Sequence, residues 1–367
     1  MADFINTLPI PPAIRDTVRA ALRGDDAKWP ENADGFALAL QEHAVGPLVY
    51  SRLPHPSLRD IAMRAAAAEL LRLEDLRALL AGFAERAIRI LIIKGSALAY
   101  DVYDAPELRP RADTDLLIDR ADIERVRALF ADLGYQARVL SGDPHANRQQ
   151  AFERADRFGV EHVYDVHWDI ANTPVVRDAL GLEELLERAM PLPRIGPAAL
   201  APAHVDALLL ACIHRVAHHH DSDRLIWLYD IHLLRERLSP AEHEAFWRRA
   251  AERRVVAICE RSIELADEWF ARATHDRAAD WLDRVPDDEP SAMFLDRNRS
   301  RGAVLAGDLK ALGWRARLER LRDLALPPAE YMRASFPAAP RAALPLLYVY
   351  RAVRGVLRLF HRVDAGG

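Results

Sequence analysis

The sequence predicts an α+β protein, with a small mixed β-sheet set between an N-terminal and a C-terminal helical region. Three observations predict it. Residues 1–87 and the stretch beyond Thr173 carry apolar side chains at helical spacing. Short, β-branched apolar runs interrupt that pattern at residues 88–93, 114–118, 135–140 and 160–170. Short helical segments separate the first three runs, giving a β-α-β-α-β-β order.

Each element has a local reason. Residues 58–89 are rich in Ala, Leu, Arg and Glu, with no Pro and no Gly before Gly82, and read as a long packed helix. Residues 88–93 are nearly all apolar, as a buried strand requires. Lys94-Gly95-Ser96 breaks that strand, and residues 97–103 read as a short helix. Pro106 and Pro110 mark a turn before the strand at 114–118. Asp119 is placed to cap a helix over 121–133, closed by Gly134. Residues 141–158 are polar, with Gly, Pro, Asn and Gln, and read as a long loop or mixed segment. Residues 203–219, 224–237 and 240–271 have helical periodicity.

Composition sets limits. The chain has 367 residues, 50% of them hydrophobic and 29% charged, enough for a large core and unlike a disordered, collagenous or disulfide-built chain. A net charge of −5 provides no overall field for a long nucleic acid. Cys212 and Cys259 lie in apolar helical stretches and are expected as buried thiols. The first 15 residues lack a basic segment followed by an apolar run, and no window of 18 uncharged apolar residues occurs. The expectation is no leader, no membrane span and a cytoplasmic location. Lysine occurs only at positions 28, 94 and 310, against 47 arginines.

Four features of the sheet region carry chemistry. Lys94-Gly95-Ser96 stands where a strand meets a helix; glycine admits a close phosphate, the helix start offers free N–H groups, and the serine hydroxyl donates. Asp113 and Asp115 are two apart at the start of a strand, so their carboxylates share a face and favour a bridging Mg²⁺ or Mn²⁺. In Tyr164-Asp165-Val166-His167-Trp168-Asp169, the polar residues Asp165, His167 and Asp169 again share a face. Asp165 is the better third carboxylate, because Asp169 lies nearer the strand end. Arg109 and Arg111 flank Pro110 just before the acidic pair and suit a triphosphate or the carboxylates themselves. Taken singly, each feature is compatible with an ordinary turn or a solvated strand.

In combination they resemble the nucleotidyltransferase superfamily typified by DNA polymerase beta, and most closely the bacterial uncharacterised nucleotidyltransferase family. The matching segments are residues 91–98, 108–118 and 164–168, and residues 326–333 look like that family's tail. One departure is a longer interval between the Gly-Ser turn and the Asp pair than in many relatives. The resemblance implies a nucleotidyltransferase core at 88–172, between helical regions at 1–87 and 173–367. It implies an enzyme of the nucleotidyl-transferring class that moves a nucleoside monophosphate from an NTP such as ATP to a hydroxyl of an unidentified acceptor, releasing pyrophosphate. Asp113, Asp115 and Asp165 would be the metal ligands and catalytic carboxylates. Lys94, Gly95, Ser96, Arg109 and Arg111 would bind the nucleotide, with His167 and Asp230 lining the substrate space. A kinase-like phosphotransferase and a non-catalytic antitoxin-like binding protein are the alternatives.

Other groupings carry less. His214 and His218 stand four apart on a helix, but no further ligand set accompanies them, so the 214–220 cluster reads as structural or substrate-lining and not as a zinc site. Trp227 and Tyr229 read as core. Arg351, Arg354, Arg358 and Arg362 place a basic stripe on the last helix, read as a solvated edge.

Overall fold

A computed structural model describes residues 8–31, 33, 35–138, 148–271, 289–296, 299–327, 329–336, 339–340 and 343–359. Four helices come first: α1 (Pro12–Arg23), α2 (Ala37–Glu42), α3 (Gly46–Arg52) and the 30-residue α4 (Pro56–Glu85). Proline at the first position suits the start of α4, and the His55 ring accepts a hydrogen bond from Ser57 N–H. At its end, Ala87 takes φ +49° and redirects the chain into the sheet.

The sheet has five strands in the order β1-β2-β5-β4-β3. Strand β1 (Ile90–Ile93) runs directly into α5 (Lys94–Asp101), and β2 (Thr114–Ile118) returns antiparallel to β1. Asp119 caps as expected, accepting from Ala121 N–H at 2.8 Å. A 3₁₀ turn at Arg120–Asp122 intervenes before α6 (Ile123–Asp132). Gly134, at φ +79°, then leads into the short β3 (Gln136–Ala137). The expected third strand reaches to residue 140, and its last part lies outside the described residues. Strand β4 (Gln149–Ala155) turns into β5 (Glu161–His167), which lies parallel to β2 and antiparallel to β4.

Strand β4 shows that the described part of 141–158, read from sequence as a long loop or mixed segment, is largely strand; residues 141–147 lie outside the described residues. Only Ala151 and Phe152 of β4 are buried, so its sequence lacks a strong alternation. Its order comes from partners: the ladder to β5 and the stacking of Phe152 on Phe130, with ring centroids 4.1 Å apart.

Both faces of the sheet are covered, which explains why β1 and β2 are buried throughout. Ile90, Ile92, Leu116, Ile118, Tyr164 and Val166 point to α4 and α6. Leu91, Ile93 and Leu117 point the other way, into a core shared with the N-terminal and C-terminal helices. Asp115 belongs to this second face by alternation, so the acidic face of the sheet looks towards the C-terminal helices.

Those helices follow α7 (Pro174–Arg177), α8 (Leu182–Glu187) and the ribbon of β6 (Met190–Pro191) and β7 (Leu200–Ala201). Helix α9 (His204–Ile213) ends in a wide π-type turn at His214–His218, and His220 and Asp221 adopt positive φ beyond it. Helix α10 (Leu225–Arg237) packs on α9 and on α12. The segment 240–271 is two helices, not one: α11 (Pro240–Glu252) and α12 (Val256–Phe270). Arg254, at φ +56°, makes the break, and the Glu289 carboxylate accepts from Val256 and Ala257 N–H at the start of α12. Helices α13 (Arg301–Ala311), α14 (Trp314–Ala325), α15 (Ala329–Ser335) and α16 (Leu344–Leu359) complete the description. Arg351 and Arg354 lie on α16, and Arg351 donates to the Leu324 carbonyl; Arg362 is outside the described residues. Cys212 and Cys259 are free and buried. Among the described residues no helix is long and apolar enough to cross a membrane.

Candidate active site

A cavity of about 700 Å³ opens between the acidic face of the sheet and the helices α9 and α10. Lys94, Gly95, Ser96, Arg109, Arg111, Asp113, Asp115, Asp165 and Asp230 line it; of the candidate site residues only His167 does not, and its Nε2 lies 2.8 Å from Asp115 Oδ1.

The parallel pairing of β2 and β5 sets Asp115 directly beside Asp165. With His167, these residues offer one ligand atom each, all within 4.8 Å of one another. Asp113, just before β2, stands outside that tight set but on the same cavity wall.

Lys94 closes the cluster. It follows β1 as the first residue of α5 and sits at φ +56°, a conformation uncommon for any residue but glycine. From there its Nζ donates to Asp115 Oδ1 at 2.7 Å and lies 3.3 Å from His167 Nε2. His167 Nε2 is 2.8 Å from the same carboxylate oxygen.

This arrangement separates the three carboxyls electrostatically. Burial alone would raise Asp115, but Lys94 and His167 hold it well below the ordinary carboxylate range. Burial and the charge of Asp115 push Asp113 up. Burial, with Asp115 and Asp113 as like charges, pushes Asp165 up to about 7. His167 is held below its ordinary value by burial and by the Lys94 ammonium, which favours the neutral imidazole. A single ammonium thus faces three carboxyls. The donor set fits a divalent cation: oxygen ligands from Asp115 and Asp165, an imidazole nitrogen within reach, and like charges that still raise Asp165 despite Lys94 and Arg138.

Gly95 has an unexpected neighbour. A Cβ there would meet the Arg109 guanidinium at 2.9–3.1 Å, so the space glycine leaves is taken by arginine. Ser96 is 1% exposed, and its Oγ donates to the Asp113 carbonyl at 3.4 Å, tying the turn to the entry of β2.

Arg109 is fixed in turn by Asp230 on α10. Its Nε and Nη2 donate to the two carboxylate oxygens at 2.8 and 2.7 Å, and Nη1 donates to the Pro110 carbonyl at 3.0 Å. Tyr103 OH adds a third donor to Asp230 at 2.7 Å. Arg111 forms a second fork, with both terminal nitrogens 2.8 Å from the oxygens of Glu69 on α4. Sequence reasoning placed Arg109, Arg111 and Asp230 near the cleft; it had no signal for these pairings, which join residues 121 and 42 positions apart.

The facing wall carries His214, His218, His219, Trp227 and Arg224. The His219 ring stacks on Trp227 at 4.1 Å between centroids, and its Nε2 lies 3.1 Å from His214 Nε2. Burial pushes His219 down to about 3 and His214 and His218 well below the ordinary histidine value, so these three imidazoles are neutral at physiological pH. Trp227, read as core from sequence, thus also lines the cavity. Arg224 was missed; no local pattern marks it.

The fold and the site define an α+β protein whose mixed sheet presents paired carboxylates beside a strand–glycine–helix turn. The model of a family described as uncharacterised nucleotidyltransferase matches residues 30–271, and the chain belongs to that family. The matched span contains the sheet and α9 to α12, and stops short of the tail-like segment at 326–333. Membership supports a transferase, with nucleotidyl transfer as its activity class and an NTP as its substrate class. Comparison with curated proteins gave no significant match.

Proposed function

We propose that the cavity catalyses transfer of a nucleoside monophosphate from an NTP to a hydroxyl of a second substrate, with release of pyrophosphate. The observation that carries the reading is the in-register pair Asp115–Asp165, with Lys94 as its one direct ammonium partner, facing a substrate-sized cavity beside Gly95 and Ser96. Asp115 and Asp165, with Asp113 alongside, are the residues that would hold Mg²⁺ or Mn²⁺; His167 is near enough to ligate or to steer Asp115. Such an ion supplies charge neutralisation at the α-phosphate and lowers the pKa of the attacking hydroxyl.

The residues of the chain divide the remaining work. Asp165, with a pKa near neutrality in the free protein, is poised to accept the proton of the acceptor hydroxyl. The acceptor oxygen bonds to the α-phosphorus as the bond to the β-phosphate oxygen breaks, and pyrophosphate carries the leaving electron pair. Lys94 keeps Asp115 ionised and lends positive charge to the site. Ser96 and Gly95 shape the edge where the triphosphate enters. Arg109, pinned by Asp230, keeps a positive charge over the glycine without having to reorganise. The reaction needs cytoplasmic NTP, and the cytoplasm is where we place it.

The test is incubation with each α-labelled and γ-labelled NTP, Mg²⁺ and cell extract, followed by mass spectrometry of the labelled product. Transfer of the α label with pyrophosphate release is expected, and its loss in Asp115→Ala. Transfer of the γ label with release of a nucleoside diphosphate would instead identify a kinase.

A further inference from the structure

We propose that Arg224, which the sequence does not single out among the nucleotide-binding candidates Lys94, Gly95, Ser96, Arg109 and Arg111, is the side chain that receives the terminal phosphates of the nucleoside triphosphate. This rests on the NTP reading above and deepens it.

Five lysine or arginine side chains line the cavity: Lys94, Arg109, Arg111, Arg138 and Arg224. Four are already committed to carboxylates. Lys94 is on Asp115, Arg109 on Asp230, Arg111 on Glu69, and Arg138 on Glu153 at 2.7 Å. To take up a phosphate, Arg109 or Arg111 would have to abandon a two-pronged buried pair and leave a buried carboxylate unpartnered, a cost of several kcal/mol.

Arg224 carries no such commitment. Its Nε donates to the Glu42 carbonyl at 2.8 Å, and its guanidinium lies over the Trp227 ring, 5.1 Å from the centroid. Those two contacts hold the side chain and set the plane of the fork. Among the described residues, no carboxylate pairs with it and neither terminal nitrogen has a protein partner. Burial, and after it the charge of Arg109, lower its pKa to about 10 against the pull of Asp113, Asp230 and Glu42, so the guanidinium stays protonated at physiological pH.

The location fits the chemistry. Arg224 feels the charges of both Arg109, which packs on Gly95, and Asp113, which immediately precedes β2. With the α-phosphate at the carboxylates, the remaining negative charge of a triphosphate needs a cation outside the acidic cluster. A planar guanidinium with two free terminal nitrogens matches a phosphate bidentately, and it is already oriented.

The experiment is calorimetric binding of the four NTPs, their monophosphates and inorganic tripolyphosphate, each with Mg²⁺, to the full chain. Arg224→Gln keeps an amide able to reach Glu42, and Arg224→Lys keeps the charge but not the fork; the melting temperature of each checks its fold. The expected result is a tenfold or greater loss of NTP and tripolyphosphate affinity in Arg224→Gln, a smaller loss in Arg224→Lys, and unchanged monophosphate binding. NTP and tripolyphosphate binding at wild-type strength in Arg224→Gln overturns the assignment while leaving the NTP reading intact. An equal loss for mono- and triphosphates also overturns it, since the residue would then support the cavity and not the phosphates. A wild-type protein that binds neither NTP nor tripolyphosphate removes both readings.

Discussion

Asp165 gives the sharpest stability test. Its carboxyl is pushed from 3.8 to about 7 by burial and by two neighbouring carboxyls. A folded pKa above the unfolded one means that the contribution to stability is complete below about pH 4 and is lost as pH rises through 7. At about 1.4 kcal/mol per pKa unit the full loss is about 4 kcal/mol. Partial solvent contact and relaxation of the neighbours reduce this to about 2–4 kcal/mol. Asp165→Asn keeps the shape of the protonated acid and removes the charge. With EDTA present, the variant should match the wild type near pH 4 and exceed it by about 2–4 kcal/mol at pH 8, which is about 3–5 °C in melting temperature for a chain of this size. Urea or thermal denaturation at pH 4, 6, 7 and 8 reads both numbers. Adding Mg²⁺ or Mn²⁺ should reverse the order: the wild type gains stability increasingly above pH 7, and the variant gains little. An Asp165→Asn protein less stable than the wild type at pH 8 without metal would refute the claim that three carboxyls share too little positive charge.

Three further substitutions probe the surrounding frame. Gly95→Ala places a methyl 2.9–3.1 Å from a guanidinium that Asp230 holds fast, so a destabilisation of about 1–3 kcal/mol is expected, read by chemical denaturation; a neutral change would mean that Arg109 yields freely. Asp230→Asn leaves Arg109 buried without a counter-charge and should cost about 3–5 kcal/mol, with Asp230→Asn/Arg109→Met recovering part of it in a double-mutant cycle. Lys94→Ala removes the ammonium that holds Asp115 ionised. Its carboxyl titration, followed by NMR, should therefore move upward, and an unmoved Asp115 would show that His167 alone suffices.

The legible part of this protein was its local chemistry. The apolar run before Lys94, the alternation through Asp115 and the alternation through Asp165 and His167 each set strand and facing from neighbouring residues alone, and the sheet has them so. What escaped depended on distant partners. Strand β4 is ordered by β5 and Phe130 and not by its own polar sequence. The π-type turn at His214–His218 hides in a sequence with regular helical spacing, and the break at Arg254 carries neither glycine nor proline. The pairings of Arg109 with Asp230 and of Arg111 with Glu69 close across long stretches of chain, so nothing nearby in sequence distinguishes these committed arginines from Arg224. In a chain with 47 arginines, only the structure separates the spoken-for from the available.

The central claim is that the oxygens of Asp115 and Asp165 bind one divalent cation. Crystals grown with Mn²⁺ and an NTP analogue blocked at the α–β bridge, measured at the manganese edge, test it most directly. The account predicts an anomalous peak about 2.0–2.4 Å from a carboxylate oxygen of each residue, with the Lys94 ammonium moved off Asp115 or sharing it. Manganese bound to the triphosphate while both carboxylates stay unligated would contradict it.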